Sequence, residues 1–440
     1  MAETLKEKTA KGLFWGAMNN GAMQVIGLVF GIVLGRLLSP SDYGMIAMIT
    51  VFSLIANALQ NSGFITAITN IKEPTDNDYN SVFWFNISVG GFLYLVLFLC
   101  APLIAGYYHT PALVPLCRYA FLSLLFSSLC TAQSAYLFKH MMVKQRAQSG
   151  IIATLFSSVV GVIMAFCGMS YWALATQTIV YSIVNTVLFW HYSPWRPSLR
   201  FDFEPIRRMF KFSCKLLAST ITTHINNNVL NILLGHYFTA HDTGNYNQAS
   251  QWNFKAYSVI QGMVDSVAQP VLVDLREQPG RQLEALRKLI RFTAFMQILC
   301  VSGAIIPMSQ LMSSLVVSNG KSGTYFGVTF ALGVVQILTM ILIWHWGIRT
   351  MVIAYVLLNI IWLFVWQYFS RRLIGYRVWM FLKDILPFAL AALAVMTATY
   401  FATQSIHNLW LLLLCRILMA VVLYYLVMRI AGAAILKECM

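Results

Sequence analysis

The chain has 440 residues, of which 59% are hydrophobic and only 10% are charged. A soluble domain carries about 25% charged residues, so this much apolar surface excludes a water-soluble fold. Apolar runs of about 20 residues recur along the whole length, and each is long enough to cross a bilayer as a helix. The alternating pattern of a transmembrane strand is absent, and the sequence therefore predicts an all-α integral membrane protein.

The net charge of +15 does not predict a nucleic-acid partner, because most Lys and Arg residues lie in alternate connections between the apolar runs. The connections at 138–148, 193–215, 273–291 and 371–383 are basic, whereas "SPSD", "GYYHTP" and "GMS" carry no Lys or Arg. This is the positive-inside pattern of a multi-pass protein. It predicts that both termini are cytoplasmic. The charged start of the chain predicts no cleavable signal peptide.

In chain order, about 13 hydrophobic helices are predicted. They cover 13–35, 44–70, 82–108, 113–137, 150–169, 172–192, 213–238, 246–272, 289–317, 325–346, 350–370, 382–403 and 408–430. The polar, Pro-containing stretch 193–212 separates six of these segments from seven and indicates a cytoplasmic linker between two lobes. The portion 281–292 suits an amphipathic helix at the membrane surface.

A short motif occurs twice, at an offset of 200 residues. The first copy is "GRLLSPSDYG" at 35–44, and the second is "GHYFTAHDTG" at 235–244. Glycine suits tight backbone at a helix end, and the shared aspartate can cap the helix that follows. The pattern favours a duplicated lobe, which is a transporter design with the substrate site between the halves. Two unrelated hairpins with similar turns are the alternative.

Polar residues in the segment 246–272 and its extension follow one helical face. The face carries Gln248, Gln251, Lys255, Ser258, Gly262, Asp265 and Gln269. Lys255 and Asp265 are about 15 Å apart along the axis, so each needs a partner other than its counterpart. Because polar groups in lipid are costly, we expect this face to line a hydrated cavity. Asp265 is the candidate for ion coupling.

Similar amides lie on three other predicted helices. They are Asn20 and Gln24, Asn57 and Asn61, and Asn227 and Asn231. Together with Lys255, Gln251 and Gln248 they form the predicted substrate-binding set. Contacts between helices, supported by close glycine packing, are the other interpretation of each of these amides.

No enzyme is expected from the sequence. It contains no H-E-x-x-H, P-loop or G-x-S-x-G pattern, and its eight cysteines have no C-x-x-C spacing. The predicted outer loops are also too short to house an active site. We therefore expect no catalytic residue, metal or cofactor.

Several stretches resemble the polysaccharide-transporter branch of the multidrug/oligosaccharidyl-lipid/polysaccharide exporter superfamily, and in particular its Wzx-type, colanic-acid-exporter-like flippases. They are "KGLFWGAMNNGAMQVIGLVFGIVLGRLLSPSDYGMIAM", "NALQNSGFITAI", "QSAYLFKHMMVKQRAQ", "GNYNQASQWN" and "GMVDSVAQPVL". The resemblance implies 14 helices, namely two six-helix lobes and a C-terminal pair. The lobes would be 1–192 and 213–372, joined by the linker 193–212, and the pair would lie in 373–440.

The resemblance also implies a function. The protein would move an undecaprenyl-pyrophosphate-linked oligosaccharide across the bacterial inner membrane by alternating access, with Lys255 facing the pyrophosphate. Its partners would be that lipid-linked oligosaccharide, membrane lipid and the polysaccharide polymerase machinery. A cation-coupled drug or metabolite antiporter is the alternative, and a membrane glycan polymerase or acyltransferase is a more remote one.

One stretch does not fit that plan. The charge pattern and the resemblance place Arg287 and Lys321 on the same side, yet the single segment 289–317 lies between them. The family has an outgoing and a returning helix in this place. We expect a helix broken near 303–307, at Gly303 and Pro307, that returns without crossing. An inverted C-terminal part and a damaged, poorly folding variant are the alternatives.

Overall fold

The computed structural model describes the backbone of residues 5–61, 68, 74–140, 142–199, 201–297, 305–404 and 408–430. Within these residues the regular secondary structure is helical, which confirms the predicted all-α class. Eight of the described helices are long and apolar enough to cross a membrane, or nine if one bent pair forms a single span. The side chains of some helical residues, including Asn61 and Asp265, lie outside the described part.

The helices of the first half are α1 (Leu5–Leu37), α2 (Pro40–Asn61), α3 (Asp76–Tyr107), α4 (Leu113–Ala120), α5 (Leu122–Ser128), α6 (Thr131–Lys139), α7 (Val143–Phe166) and α8 (Tyr171–Tyr192). They begin earlier than predicted where a polar cap starts the helix. At α3, the Thr75 hydroxyl and the Asp78 carboxylate form a reciprocal capping box. This box satisfies backbone N–H groups that would otherwise lack partners.

The predicted helix 113–137 is divided into α4, α5 and α6, with a bend of 43° before α6. The carbonyl groups near the bend are satisfied by side chains of α8. Trp190 Nε1 donates to the Leu129 carbonyl at 2.7 Å, and Thr186 Oγ1 donates to the Phe126 carbonyl at 2.9 Å. A break inside the membrane is tolerable because neighbouring protein replaces the missing backbone bonds.

The remaining helices are α9 (Glu204–Tyr237), α10 (Ala240–Asp274), α11 (Pro279–Gln297), α12 (Ile305–Ser318), α13 (Ser322–Ile343), α14 (Ile348–Ile374), α15 (Val378–Ala402) and α16 (Leu409–Ile430). The chain forms two compact units. Unit 1 comprises residues 1–249 and 333–351, and unit 2 comprises 250–332 and 352–440. The lobe boundaries expected from the sequence remain a prediction.

Connections without Lys or Arg meet at one end of unit 1, which we call the bare end. A basic connection lies at the other, which we call the basic end. At the bare end, Ser170 donates to Asp42, and His236 Nδ1 donates to the Tyr107 carbonyl at 2.6 Å. At the basic end, the stretch 193–203 packs on the start of α3, where Asn80 Nδ2 donates to Ser198 Oγ at 2.6 Å. The connections that alternate along the sequence between basic and uncharged therefore lie at different ends of unit 1. Which end faces the cytoplasm remains a prediction.

The two copies of the repeated motif have the same local structure. In the first corner, Ser39 Oγ donates to Asp42 Oδ2 at 2.7 Å, and the Asp42 N–H donates back to Ser39 Oγ at 3.3 Å. In the second corner, Thr239 and Asp242 make the same two bonds, at 2.6 and 3.2 Å. Each pair caps the helix that follows, as the motif predicts.

The two corners also pack against each other, and we call this contact the corner seam (39–44 with 239–244). A Cβ atom on Gly44 would lie 1.8 Å from the Ala240 carbonyl oxygen, and one on Gly244 would lie 1.7 Å from the Pro40 carbonyl oxygen. Only glycine permits such an approach of two backbones. The contact is reciprocal at the same offset of 200 residues, which favours duplication over two unrelated hairpins.

In unit 2, α11 and α12 form a helical hairpin in place of the single predicted helix 289–317. Leu286 and Ile290 of α11 are buried in one cluster with Leu311 and Leu315 of α12. The far ends also meet, because Asn319 Nδ2 donates to Gln282 Oε1 at 3.4 Å. The chain therefore returns to the side from which it came. Residues 298–304, which include the expected bend at Gly303, lie outside the described residues.

Candidate functional site

A buried amide cluster lies where α9 and α10 meet in unit 1. Asn231 is only 6% exposed. Its Nδ2 lies 3.4 Å from Asn228 Oδ1 and 3.5 Å from Asn247 Oδ1, while its own Oδ1 is buried without a hydrogen-bond partner. Both bonds are long, and a buried carbonyl without a donor is costly. The cluster can therefore accept a hydrogen bond from a hydroxyl group.

Gln248 follows Asn247 on α10. Its side chain lies beside the Tyr43 hydroxyl, on the first turn of α2. Gln248 therefore lies near the corner seam, and whether it shares a site with Asn231 remains a prediction. Tyr43 and Asn247 were missed by sequence reasoning. A signal for both existed, because they adjoin the repeated corners, but neither lies on the polar faces that the helical spacing picked out.

A second polar contact in unit 1 joins α9 to α13. Asn226 is 6% exposed, and a Cβ atom on Gly333 would lie only 2.2 Å from its Oδ1. Three residues further along α13, the Oε1 of Gln336 is buried without a partner. The polar residues of α9 therefore point in more than one direction, and the spacing rule missed Asn226. Asn227, which the rule selected, is exposed.

Other predicted residues do not join the amide cluster. Asn57 Nδ2 donates to the Ser53 carbonyl of its own helix at 2.8 Å, so its amide is satisfied locally. Asn20 and Gln251 are exposed, and Gln24 is half-buried with a partner elsewhere. Asn61 and Asp265 fall on side chains outside the described part, so their roles remain predictions.

Unit 2 holds the predicted cation. The Lys255 ammonium lies 4.5 Å from the centre of the Trp252 ring, a cation–π contact one turn along α10. Lys255 is half-buried and Trp252 is 37% exposed. Such a pair offers a positive charge beside an aromatic face, which can hold an anionic group attached to an apolar or sugar moiety. Whether this face lines a cavity remains a prediction.

Aligning α1 with α9 at the offset of 200 residues gives information beyond the repeated motif. Every member of the polar face of α1 has its counterpart 200 residues later on α9. The pairs are Asn20/Thr220, Gln24/His224, Gly27/Asn227, Gly31/Asn231 and Gly35/Gly235. Where α1 has glycine at 27 and 31, α9 has asparagine. The three residues of the amide cluster, Asn228, Asn231 and Asn247, belong to the second copy, whereas the amides of α1 lie at other positions.

A buried acid that the sequence analysis did not single out lies near the start of α15. Helix α15 begins at Val378, before the predicted start at 382, and Asp384 lies on it with only 3% exposure. Arg287 of α11 pairs with it. Among the described residues, no group of three or more His, Cys, Asp or Glu could hold a metal ion.

Comparisons with known proteins support the resemblance. Residues 33–319 match the family model Polysacc_synt_3, "Polysaccharide biosynthesis protein". The chain is 25% identical over 319 residues to the lipopolysaccharide biosynthesis protein WzxC of Escherichia coli (strain K12), covering 69% of this chain and 64% of that one. It is 22% identical over 270 residues to the teichuronic acid biosynthesis protein TuaB of Bacillus subtilis (strain 168), covering 61% and 56%. The chain thus spans less than two thirds of these relatives.

The fold matches a solved multidrug resistance MATE family transporter of the MOP superfamily in its outward-facing conformation. The TM-score is 0.50 at 14% identity, over 83% of this chain and 96% of that one. At this identity the likeness shows the fold alone. The matched family model covers more than half of the chain, and the protein belongs to the polysaccharide biosynthesis protein family.

Proposed function

We propose that the protein is a flippase that exports an undecaprenyl-pyrophosphate-linked oligosaccharide across the bacterial inner membrane. The observation that carries the proposal is the buried amide of Asn231, with its unpartnered Oδ1 and its two asparagine neighbours. Amides are uncharged and both donate and accept, so they can replace the water around sugar hydroxyls inside the membrane. The family and its curated relatives support a substrate of polysaccharide biosynthesis.

The charged part of such a substrate needs a cation. Moving a pyrophosphate through hydrocarbon unaided is very costly, because its charge would lose its solvation. Lys255 is the proposed partner, with Trp252 holding the ammonium in place at 4.5 Å from the ring centre. The polyprenyl tail needs no protein partner, since it stays in the lipid.

Alternating access requires a joint at which the two copies of the repeat can part. The corner seam is the proposed joint, because both glycines contribute backbone and no side chain crosses at the closest approach. In other transporters built from internal repeats, the halves rock against each other to give alternating access. The antiporter alternative depends on Asp265, whereas the amide cluster of Asn228, Asn231 and Asn247 favours a glycan.

The test of the amide site is export in a strain that lacks its own flippase. We expect Asn231→Ala to lower the surface polysaccharide about tenfold at matched protein levels, since one hydrogen bond is worth about 1 kcal/mol or more. Asn57→Ala is the matched control, because Asn57 bonds only within its own helix. Full export by Asn231→Ala would remove the amide cluster from the mechanism.

Lys255 has its own test in the same strain. We expect Lys255→Ala to lose most export and Lys255→Arg to keep more of it, because the arginine retains the charge. Resistance to cationic dyes, measured in parallel, distinguishes the antiporter. A chain that confers dye resistance but never restores polysaccharide would overturn the flippase proposal as a whole.

A further inference from the structure

A charged cluster in unit 2 joins α11, α15 and the turn 375–377. Arg287 clamps the Asp384 carboxylate in a bidentate pair, with Nε 2.8 Å from Oδ2 and Nη2 2.9 Å from Oδ1. The Tyr376 hydroxyl donates to the same Oδ2 at 3.1 Å. Asp384 is 3% exposed, so this carboxylate is satisfied by protein donors and not by water.

The tyrosine is fixed in the donor role. Burial, and then the neighbouring carboxylate of Asp384, raises the pKa of Tyr376 well above its usual range, so that the hydroxyl keeps its proton. The turn itself is held by Gln367, whose Nε2 donates to the Tyr376 carbonyl at 2.8 Å. The carboxylate and its first guanidinium are therefore held rigidly.

A second guanidinium lies beside the first without a carboxylate of its own. Arg291 Nε is 3.8 Å from Asp384 Oδ1 and makes a 3.4 Å bond to the Arg287 carbonyl. Among the described residues, no acceptor contacts its two terminal nitrogens. Two guanidiniums share one carboxylate, so the cluster carries a net positive charge. The side chains of Arg287 and Arg291 remain 33% and 30% exposed.

The cluster lies where a membrane surface would place phosphate groups. Tyr376 occupies the turn between two apolar helices, α14 and α15. One turn into α15, the Lys383 ammonium lies 5.8 Å from the ring centre of Trp379, which is 67% exposed. Exposed tryptophan and lysine at a helix end are typical of the interface between lipid and water. Basic groups between helices at this depth suit acidic lipid headgroups.

We propose that Arg287 and Arg291 form a binding site for a phosphate group at the membrane surface, with Asp384 and Tyr376 holding the guanidiniums in position. Two planar guanidiniums match the oxygens of a phosphate with parallel, charge-assisted hydrogen bonds. Two sources carry this chemistry, namely the phosphodiester of an anionic phospholipid and the pyrophosphate of a polyprenyl-linked substrate. The pyrophosphate source rests on the export function proposed above, whereas the phospholipid source does not.

The test is binding to the purified full chain in detergent. Two probes are titrated separately, phosphatidylglycerol and undecaprenyl pyrophosphate, with phosphatidylcholine as the neutral reference, and bound lipid is counted by native mass spectrometry. We expect Arg291→Gln to weaken binding of at least one anionic probe about tenfold, as one charge-assisted bond predicts. Lys288→Gln is the matched control, because it removes one exposed charge from the same helix.

The probe whose binding is lost identifies the source of the phosphate group. Loss of phosphatidylglycerol alone assigns the site to membrane lipid, loss of the pyrophosphate alone assigns it to the substrate, and loss of both supports a general phosphate site. Unchanged binding of both probes by Arg291→Gln overturns the proposal. If that variant does not fold, Arg291→Ala replaces it, and unchanged affinity for both probes in the alanine variant has the same consequence.

Discussion

Gly44 and Gly244 each pack against the backbone of the corner that contains the other glycine. Gly44 faces the Ala240 carbonyl and Gly244 faces the Pro40 carbonyl, at distances that leave no room for a methyl group on either. Because the obstacle is backbone on both sides, a side chain cannot simply turn away. The two glycines are therefore equivalent members of one joint.

Substitution of either glycine at this joint should lower the stability by a similar amount. We expect Gly44→Ala and Gly244→Ala each to cost about 1–3 kcal/mol of stability, as overpacking does. Thermal unfolding in detergent measures the loss. Gly35→Ala is the control, since nothing lies within 4 Å of its Cβ position. Tolerance of alanine at both positions would contradict the tight seam.

The two capping aspartates should differ in importance although they occupy equivalent positions. Asp42 is 7% exposed and also accepts a bond from Ser170, whereas Asp242 is half-buried and serves its own corner. Losing a cap costs about 1 kcal/mol. We expect Asp42→Ala to lower the stability by more than Asp242→Ala, measured by the same unfolding assay. The reverse order would show that the Ser170 contact adds nothing.

Asn226 and Gly333 should be coupled. A methyl group at position 333 would displace the Asn226 amide, so Gly333→Ala alone should lose about 1–3 kcal/mol. In the Asn226→Ala background the same change should be nearly neutral, because the obstacle is gone. A double-mutant cycle on unfolding free energies checks this coupling. Simple additivity would contradict the contact.

The ion pair of Arg287 and Asp384 should stabilise unit 2, and the contributions of the two side chains should be coupled. Asp384→Asn leaves a half-exposed guanidinium, while Arg287→Gln leaves a buried carboxylate with weaker partners, and the second change should cost more. We expect roughly 2–4 kcal/mol for Arg287→Gln. The double variant should cost less than the sum, and its unfolding midpoint measures the difference. If the double variant loses as much stability as the two single variants together, the ion pair contributes nothing.

The α11–α12 hairpin predicts the sidedness of the chain after it. Because Asn319 meets Gln282, reporter fusions after Lys321 and after Lys383 should both give cytoplasmic signals. A fusion at the linker 193–212 serves as the cytoplasmic control. Periplasmic signals at both test positions would instead mean that the C-terminal part is inverted.

Helices could be predicted from the apolar runs because a helix needs about 20 consecutive apolar residues to cross a bilayer. The bend between α5 and α6 could not, since it has no Pro or Gly and depends on Trp190 and Thr186, about 60 residues away along the chain. Asp384 was missed for the same reason, because its partner Arg287 lies 97 residues away. Helical spacing found Asn231 but could not tell which of its neighbours would be satisfied locally.

The corner seam has the geometry of a symmetric homodimer, although both partners belong to one chain. In a two-fold interface, the contact of one residue with a second is repeated by their copies, and the contacts of Gly44 with Ala240 and of Gly244 with Pro40 follow that rule. A half-length ancestor would therefore have been able to make this joint with a second copy of itself before gene fusion linked the two. Two copies joined in one chain can diverge, because neither half then has to serve both roles. Asparagine at positions 227 and 231, against glycine at 27 and 31, is the kind of divergence that a dimer of identical halves could never acquire.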